Sequence, residues 1–117
     1  MPGPLRVAVA DVGSNAIRTM VAERASPTRL RVLDEQRAPV RLGTAVFRDG
    51  RLDGPTMDAA VEVLAAFARR GAAAGARVRA VATSAVREAG NRDDFLARVR
   101  TATGLTLEAI SGGEEAR

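Results

Sequence analysis

A chain of 117 residues, 46% hydrophobic and 27% charged, has the size of one domain and buries about two-thirds of its unfolded surface on folding. It contains no cysteine and no histidine, which excludes disulfide frameworks, thiolate metal sites, imidazole bases and most zinc sites, and leaves acid–base chemistry to carboxylates. The 18 basic residues are all arginine and outweigh 14 acids by +4, but Arg6, Arg18, Arg29, Arg51 and Arg98 are scattered and no Trp or Tyr accompanies them, which argues against a nucleic-acid surface.

Met1 to Arg6 is too short for a signal peptide, and no apolar run reaches membrane-spanning length, so a cytoplasmic protein without a membrane partner is expected. Leu5 to Ala10 is a short apolar run that reads as a buried strand ending at Asp11. Gly13-Ser14-Asn15 is a turn, and Ile17 to Ala22 returns as a second strand. After Ser26-Pro27-Thr28, a third strand holds Leu30, Val32 and Leu33 and runs toward Val40, with Pro39 pointing to an edge or a bulge. Asp49-Gly50 marks a turn. Pro55 opens a helix whose stripe is Met57, Val61, Leu64 and Ala68, ended by Gly71 and Gly75. Val78 to Ala82 is a fourth strand.

Asn91 is positioned to cap a second helix, with Asp94 three residues on as a weaker capping box and Phe95, Leu96 and Val99 as its buried face. Gly104 closes that helix, and Leu105 to Ile110 is the last strand. Ser111-Gly112-Gly113 breaks it, and Glu114 to Arg117 reads as the first turn of another helix. The expected order is β-β-β-α-β-α-β, an α/β fold with a mixed sheet and crossover helices. Aromatics make up only 3% of the chain, so the core is expected to rest on small contacts and to be marginal.

Three stretches carry chemistry. In Asp11-Val12-Gly13-Ser14-Asn15, Gly13 lets the backbone approach an anion closely, the N–H groups of Gly13 to Asn15 can form a nest, and Ser14 and Asn15 add donors. Asp11 can hold a hydrated metal ion facing the phosphate. The same five residues also make an ordinary hairpin turn. Ala82-Thr83-Ser84-Ala85-Val86-Arg87 leaves the fourth strand at its C-terminal end, where α/β sheets bind ligands, and Arg87 can grip a phosphate bidentately; read alone, it is better taken as a surface loop with one of many arginines. Glu114-Glu115 can include a base for water, although acids favour helix starts anyway.

Together the stretches carry a resemblance. VAVADVGSNAIR (Val7–Arg18) resembles the first phosphate loop of the actin, sugar-kinase and heat-shock-chaperone ATPase superfamily. VRLG (Val40–Gly43), VRAVATSAVREAGNRDDFL (Val78–Leu96) and TGLTLEAISGGEEAR (Thr103–Arg117) resemble, in order, the exopolyphosphatase and guanosine-pentaphosphatase branch. The resemblance implies a ribonuclease H-like (actin-like) fold, with residues 1–117 as an N-terminal half-domain that stops before the second phosphate loop. It also implies Mg²⁺ bound through Asp11, phosphate cradled by Gly13, Ser14 and Asn15 and contacted by Arg87, and Glu115 as general base with Glu114 in support.

The implied substrate is inorganic polyphosphate, with guanosine pentaphosphate as the near alternative and a kinase-like or non-catalytic polyphosphate-binding module as readings of another class. The resemblance leaves room for a homodimer of a longer protein, and it implies that the 117 residues alone do not turn over substrate. Two departures stand out: Ala16 where the family often has serine or threonine, and Thr44-Ala45 in place of a second glycine after Arg41-Leu42-Gly43, where an altered loop is expected.

Overall fold

The computed structural model describes residues 4–110. Strand β1 (Arg6–Val12) is followed by β2 (Ile17–Ser26) and β3 (Arg29–Ala38), which turn back on one another as an antiparallel meander. Helices α1 (Leu42–Asp49) and α2 (Gly54–Ala73) follow, then β4 (Arg77–Ala82), α3 (Ser84–Glu88), α4 (Arg92–Thr103) and β5 (Leu107–Ala109). The five strands among the described residues form one sheet in the order β3-β2-β1-β4-β5, with β4 parallel to β1 and β5 parallel to β4. A parallel neighbour cannot be reached through a tight hairpin. The chain therefore crosses over the sheet through α2, which packs on β1, β2 and β4.

The period-2 pattern of β1 sets the core. Ala8, Ala10 and Val12 are fully buried on one face, where Ile17, Val21, Ala80 and Ala82 join them. Helix α2 lays Met57, Ala60, Leu64 and Phe67 onto that face. The expected stripe is therefore turned slightly, with Val61 and Ala68 half-buried at its flank. Gly71 lies inside the helix and does not end it: a Cβ there would stand 2.9 Å from Val78 Cγ2 and 3.4 Å from Ala8, so its absence lets the helix approach the sheet. The helix ends at Ala73, and the chain turns away at Gly75, whose φ of 65° suits a residue without a Cβ. Two of the three phenylalanines, Phe67 and Phe95, are fully buried, so the core has bulky rings at its centre despite the low aromatic content.

The mixed sheet and crossover helices are as expected, but the order gains two short helices. Helix α1 occupies Leu42–Asp49, and Thr44-Ala45 lies within it, with Thr44 exposed and Ala45 buried; no loop is altered there. Helix α3 occupies the stretch that leaves β4. The last strand is shorter than expected, pairing with β4 only over Leu107–Ala109. β3 is an edge strand that ends at Ala38, directly before Pro39, and its pairing with β2 contains irregularities.

Asn91 does not cap α4 with its side chain. Its backbone sits at φ −103°, ψ 28°, away from the extended conformation that aims a capping side chain at the helix. Instead Oδ1 accepts the Leu52 N–H at 2.8 Å and Nδ2 donates to the Leu52 carbonyl at 2.9 Å. Beside this clamp, the Gly90 N–H donates to the Gly50 carbonyl at 2.8 Å. Asp94 pairs with Arg98 one turn along, at 3.4 Å, rather than completing a capping box. The side-chain cap that does form is at α2, where Asp53 accepts the Thr56 N–H at 2.8 Å.

Glu23 ties the meander together. Its carboxylate accepts from Arg31 on β3 and, at 3.1 Å, from Arg6 on β1, while Arg6 also donates to the Ala74 carbonyl at the end of α2. The bond from Arg31, then that from Arg6, holds the Glu23 carboxyl below the ordinary glutamate range. A lowered folded-state pKa gives stability that is present above the unfolded value, about 4.3, and is lost as pH falls through the lowered value. The stability difference between the natural chain and a Glu23→Gln variant is therefore expected to be largest near neutrality and to shrink below that pH. Denaturant midpoints measured in an acid series check this; a difference that stays constant with pH would refute it.

Candidate functional site

Parallel pairing of β1 and β4 brings their C-terminal ends to the same edge of the sheet. Open α/β sheets bind ligands at this edge. After Val12, the chain reverses through residues 13–16, and the Gly13 N–H donates to the Ala16 carbonyl at 3.0 Å. Of the three N–H groups expected to form a nest, that of Gly13 is thus engaged within the turn. The loop is held from outside by α1, because the Gly43 N–H donates to the Ser14 carbonyl at 2.8 Å. It is held from the neighbouring strand by the Thr83 N–H, which donates to the Val12 carbonyl at 3.1 Å, and by a 3.2 Å contact between the Ser14 and Ser84 hydroxyls.

These loops border a cleft of about 300 Å³. Asp11, Gly13, Ser14 and Asn15 line one side, Thr83 and Ser84 another, and Arg18 and Arg37 extend it over β2 and β3. Three hydroxyls and two guanidiniums surround one carboxylate, a donor-rich set suited to an anion. A larger hollow of about 440 Å³ between α2 and α4 is mainly apolar, and its charged residues Asp58 and Arg98 are paired with each other at 3.5 Å, so it lacks the donors an anion needs.

Asp11, Gly13, Ser14 and Asn15 all line the cleft. Arg87 is half-buried on α3, outside the residues that line the cleft; its Nη1 donates to the Ile110 carbonyl at 2.6 Å, and its own carbonyl accepts from Arg92 at 2.8 Å. Glu114 and Glu115 lie outside the described residues. Sequence reasoning passed over Arg18 and Arg37 as site residues. The signal for Arg18 was present: a turn at residues 13–16 fixes a register in which Asp11 stands opposite Arg18.

No group of three potential metal ligands gathers among the described residues. Mg²⁺ requires less, because it is commonly held through one or two carboxylates, with waters and substrate phosphates completing its octahedron. Asp11, beside the hydroxyls of Ser14, Thr83 and Ser84, fits such a site.

Residues 20–117 match the family model of the Ppx/GppA phosphatase family. The chain belongs to that family. It is 36% identical over 114 residues to Exopolyphosphatase 1 of Mycobacterium leprae, covering 97% of this chain and 34% of the relative. Identity to Exopolyphosphatase 1 of Mycobacterium tuberculosis is 34%, covering 97% of this chain and 33% of the relative. The chain thus spans about a third of the length of the curated relatives it matches.

Among solved structures, an Aquifex aeolicus member of the family superposes with a TM-score of 0.90 at 33% identity, covering 97% of this chain and 37% of that one. An exopolyphosphatase from Cytophaga hutchinsonii gives 0.88 at 27% identity, covering 95% and 36%. These family structures establish the mixed-sheet, actin-like fold. Among the described residues, no helix is long and apolar enough to cross a membrane.

Proposed function

We propose that this chain forms the first phosphate-binding half of a phosphohydrolase that releases terminal phosphate from inorganic polyphosphate. The gathering of Asp11, three hydroxyls and two guanidiniums where β1 and β4 end is the observation that supports this reading. Ser14 and Asn15 would bind the terminal phosphate, and Thr83 and Ser84 would close on it from β4. Arg87 uses one of its guanidinium donors on Ile110 and stands outside the cleft lining, so its other donors would reach a phosphate oxygen only once the side chain turns toward the cleft. The same bond anchors the residue before the segment that carries Glu115.

Glu115 would take a proton from the attacking water, directing it in line at the terminal phosphorus. Mg²⁺, held through Asp11, would supply charge neutralisation on the phosphate oxygens. The 117 residues alone would bind phosphate without useful turnover, and release of phosphate by the purified chain would refute that.

The test compares phosphate release from long-chain polyphosphate and from guanosine pentaphosphate, with Mg²⁺ present and absent, by a protein of the relatives' length carrying this sequence. Polyphosphate is the expected substrate. Ser14→Ala is expected to lower kcat/KM by about tenfold or more, the scale of one charge-assisted hydrogen bond. Preference for guanosine pentaphosphate would replace the substrate while keeping the site, and binding without release by that longer protein would replace the enzyme with a binding module.

A further inference from the structure

The row of side chains crossing the sheet beside the Ser14 loop has an uneven charge distribution. Asp11 on β1 stands opposite Arg18 on β2, and Arg18 stands opposite Arg37 on β3. In-register neighbours on adjacent strands share a face, and like charges placed there destabilise a sheet. Asp11 stands next to Arg18 but lies one strand further from Arg37. The carboxylates nearest Arg37 along the sheet are engaged elsewhere: Glu23 pairs with Arg31 on the same strand, and Asp34 is taken by Arg70 at 3.0 Å.

Glu35, two residues from Arg37, lines the same stretch of surface as both arginines but pairs with neither. Both guanidiniums are exposed and line the cleft. The row therefore ends in an exposed guanidinium one strand beyond Arg18, on the far side of the cleft from the phosphate loop.

We propose that Arg37 forms a second anion subsite, which holds a linear phosphoanhydride chain upstream of the phosphate seated at Ser14. This deepens the function proposed above and rests on it. The backbone of Arg37 lies two strand spacings, roughly 10 Å, from that of Asp11. A single phosphate at Ser14 lies within reach of the loop and of Arg18, whereas an anion bridging Ser14 and Arg37 has to be a chain. Arg37 thus selects for substrate length, and the anion relieves the repulsion that the bare row carries.

Binding to the intact protein tests this, with long-chain polyphosphate, pyrophosphate, guanosine pentaphosphate and single-stranded DNA as probes. Arg37→Gln is expected to weaken polyphosphate binding by about tenfold and pyrophosphate binding by less than about twofold, the difference expected when one charge-assisted contact is lost. In low-salt buffer free of phosphate and other multivalent anions, its thermal midpoint is expected to equal or exceed that of the natural chain. Guanosine pentaphosphate weakened as much as polyphosphate would place the nucleotide's phosphates on Arg37 and support the subsite.

Equal losses for pyrophosphate and polyphosphate, or a DNA affinity that falls by the same factor, would overturn it in favour of general surface charge. Polyphosphate binding abolished by Ser14→Ala but unchanged in Arg37→Gln would overturn the subsite and leave the proposed function standing. Failure of the natural protein to bind any phosphate would overturn both.

Discussion

Replacing Glu115 by glutamine is expected to reduce phosphate release by a protein of the relatives' length about 10²–10⁴-fold, the usual contribution of a general base. Substrate binding should be unchanged, so kcat and kcat/KM should fall together while KM stays level, the pattern of an interaction made only in the transition state. With no histidine and no cysteine, the base within these residues is left to a carboxylate, and it is the resemblance to the family that assigns the role to Glu115. Asp11 is the carboxylate that lines the cleft among the described residues, and its position suits a metal ion. The change from Glu to Gln keeps size and removes only basicity, and Glu114→Gln is the matched control. Steady-state kinetics on both variants decide the matter. An equal loss in Glu114→Gln, or no loss in Glu115→Gln, would move the base elsewhere.

Gly43→Ala should destabilise the chain by about 1–3 kcal/mol, the typical cost of overfilling a packed site. A Cβ at Gly43 would lie 2.9 Å from the Phe47 ring, 2.9 Å from Ser14 Cβ and 3.1 Å from the Ser14 carbonyl oxygen. Phe47 is 61% exposed and can swing aside. Ser14 cannot move without stretching the bond between its carbonyl and the Gly43 N–H. Alanine also favours helix, by about 0.5–1 kcal/mol over glycine, which offsets part of the strain but not most of it. Because the displaced residue is Ser14, phosphate affinity should fall along with stability. Thr44→Ala, an exposed position on the same helix, is the control and should be neutral or stabilising. Urea melts and phosphate titrations of the two variants provide the comparison, and a Gly43→Ala chain that keeps full stability and affinity would refute it.

How far the sequence could be read depended on how local each signal was. Strands β1 and β2 were legible because apolar runs around Gly13-Ser14-Asn15 leave one sensible hairpin. Helix α1 was missed because it is only eight residues long, lacks a side-chain cap and carries Leu42, Ala45 and Val46 on a stripe barely longer than one turn. Helix α3 was missed for the same reason, at five residues. The place of Asn91 was legible but its partner was not, since Leu52 is 39 residues away in sequence and only the packed fold brings the two together.

The site followed the same rule. Asp11 to Asn15 form one short stretch with recognisable chemistry. Arg37 joins them through a β2–β3 register that is irregular between Val21 and Ala22, and no spacing in the sequence reveals that shift. Arg87 was legible as an arginine beside two hydroxyls, but its bond to Ile110 depends on β5 pairing with β4.

The fastening of Gly50 to Gly90, beside the Leu52–Asn91 clamp, gives the cleft a mechanical property of its own. From Ser14 the contacts run through Gly43 and along α1 to Gly50, cross to Gly90, return along α3 to Ser84 and close again on the Ser14 hydroxyl. The two walls are thus segments of one closed loop of contacts rather than two arms hinged at the sheet. A closed loop has no free end to swing, so strain applied at any link is shared around the circuit. Loosening a joint far from the cleft would therefore soften both walls together.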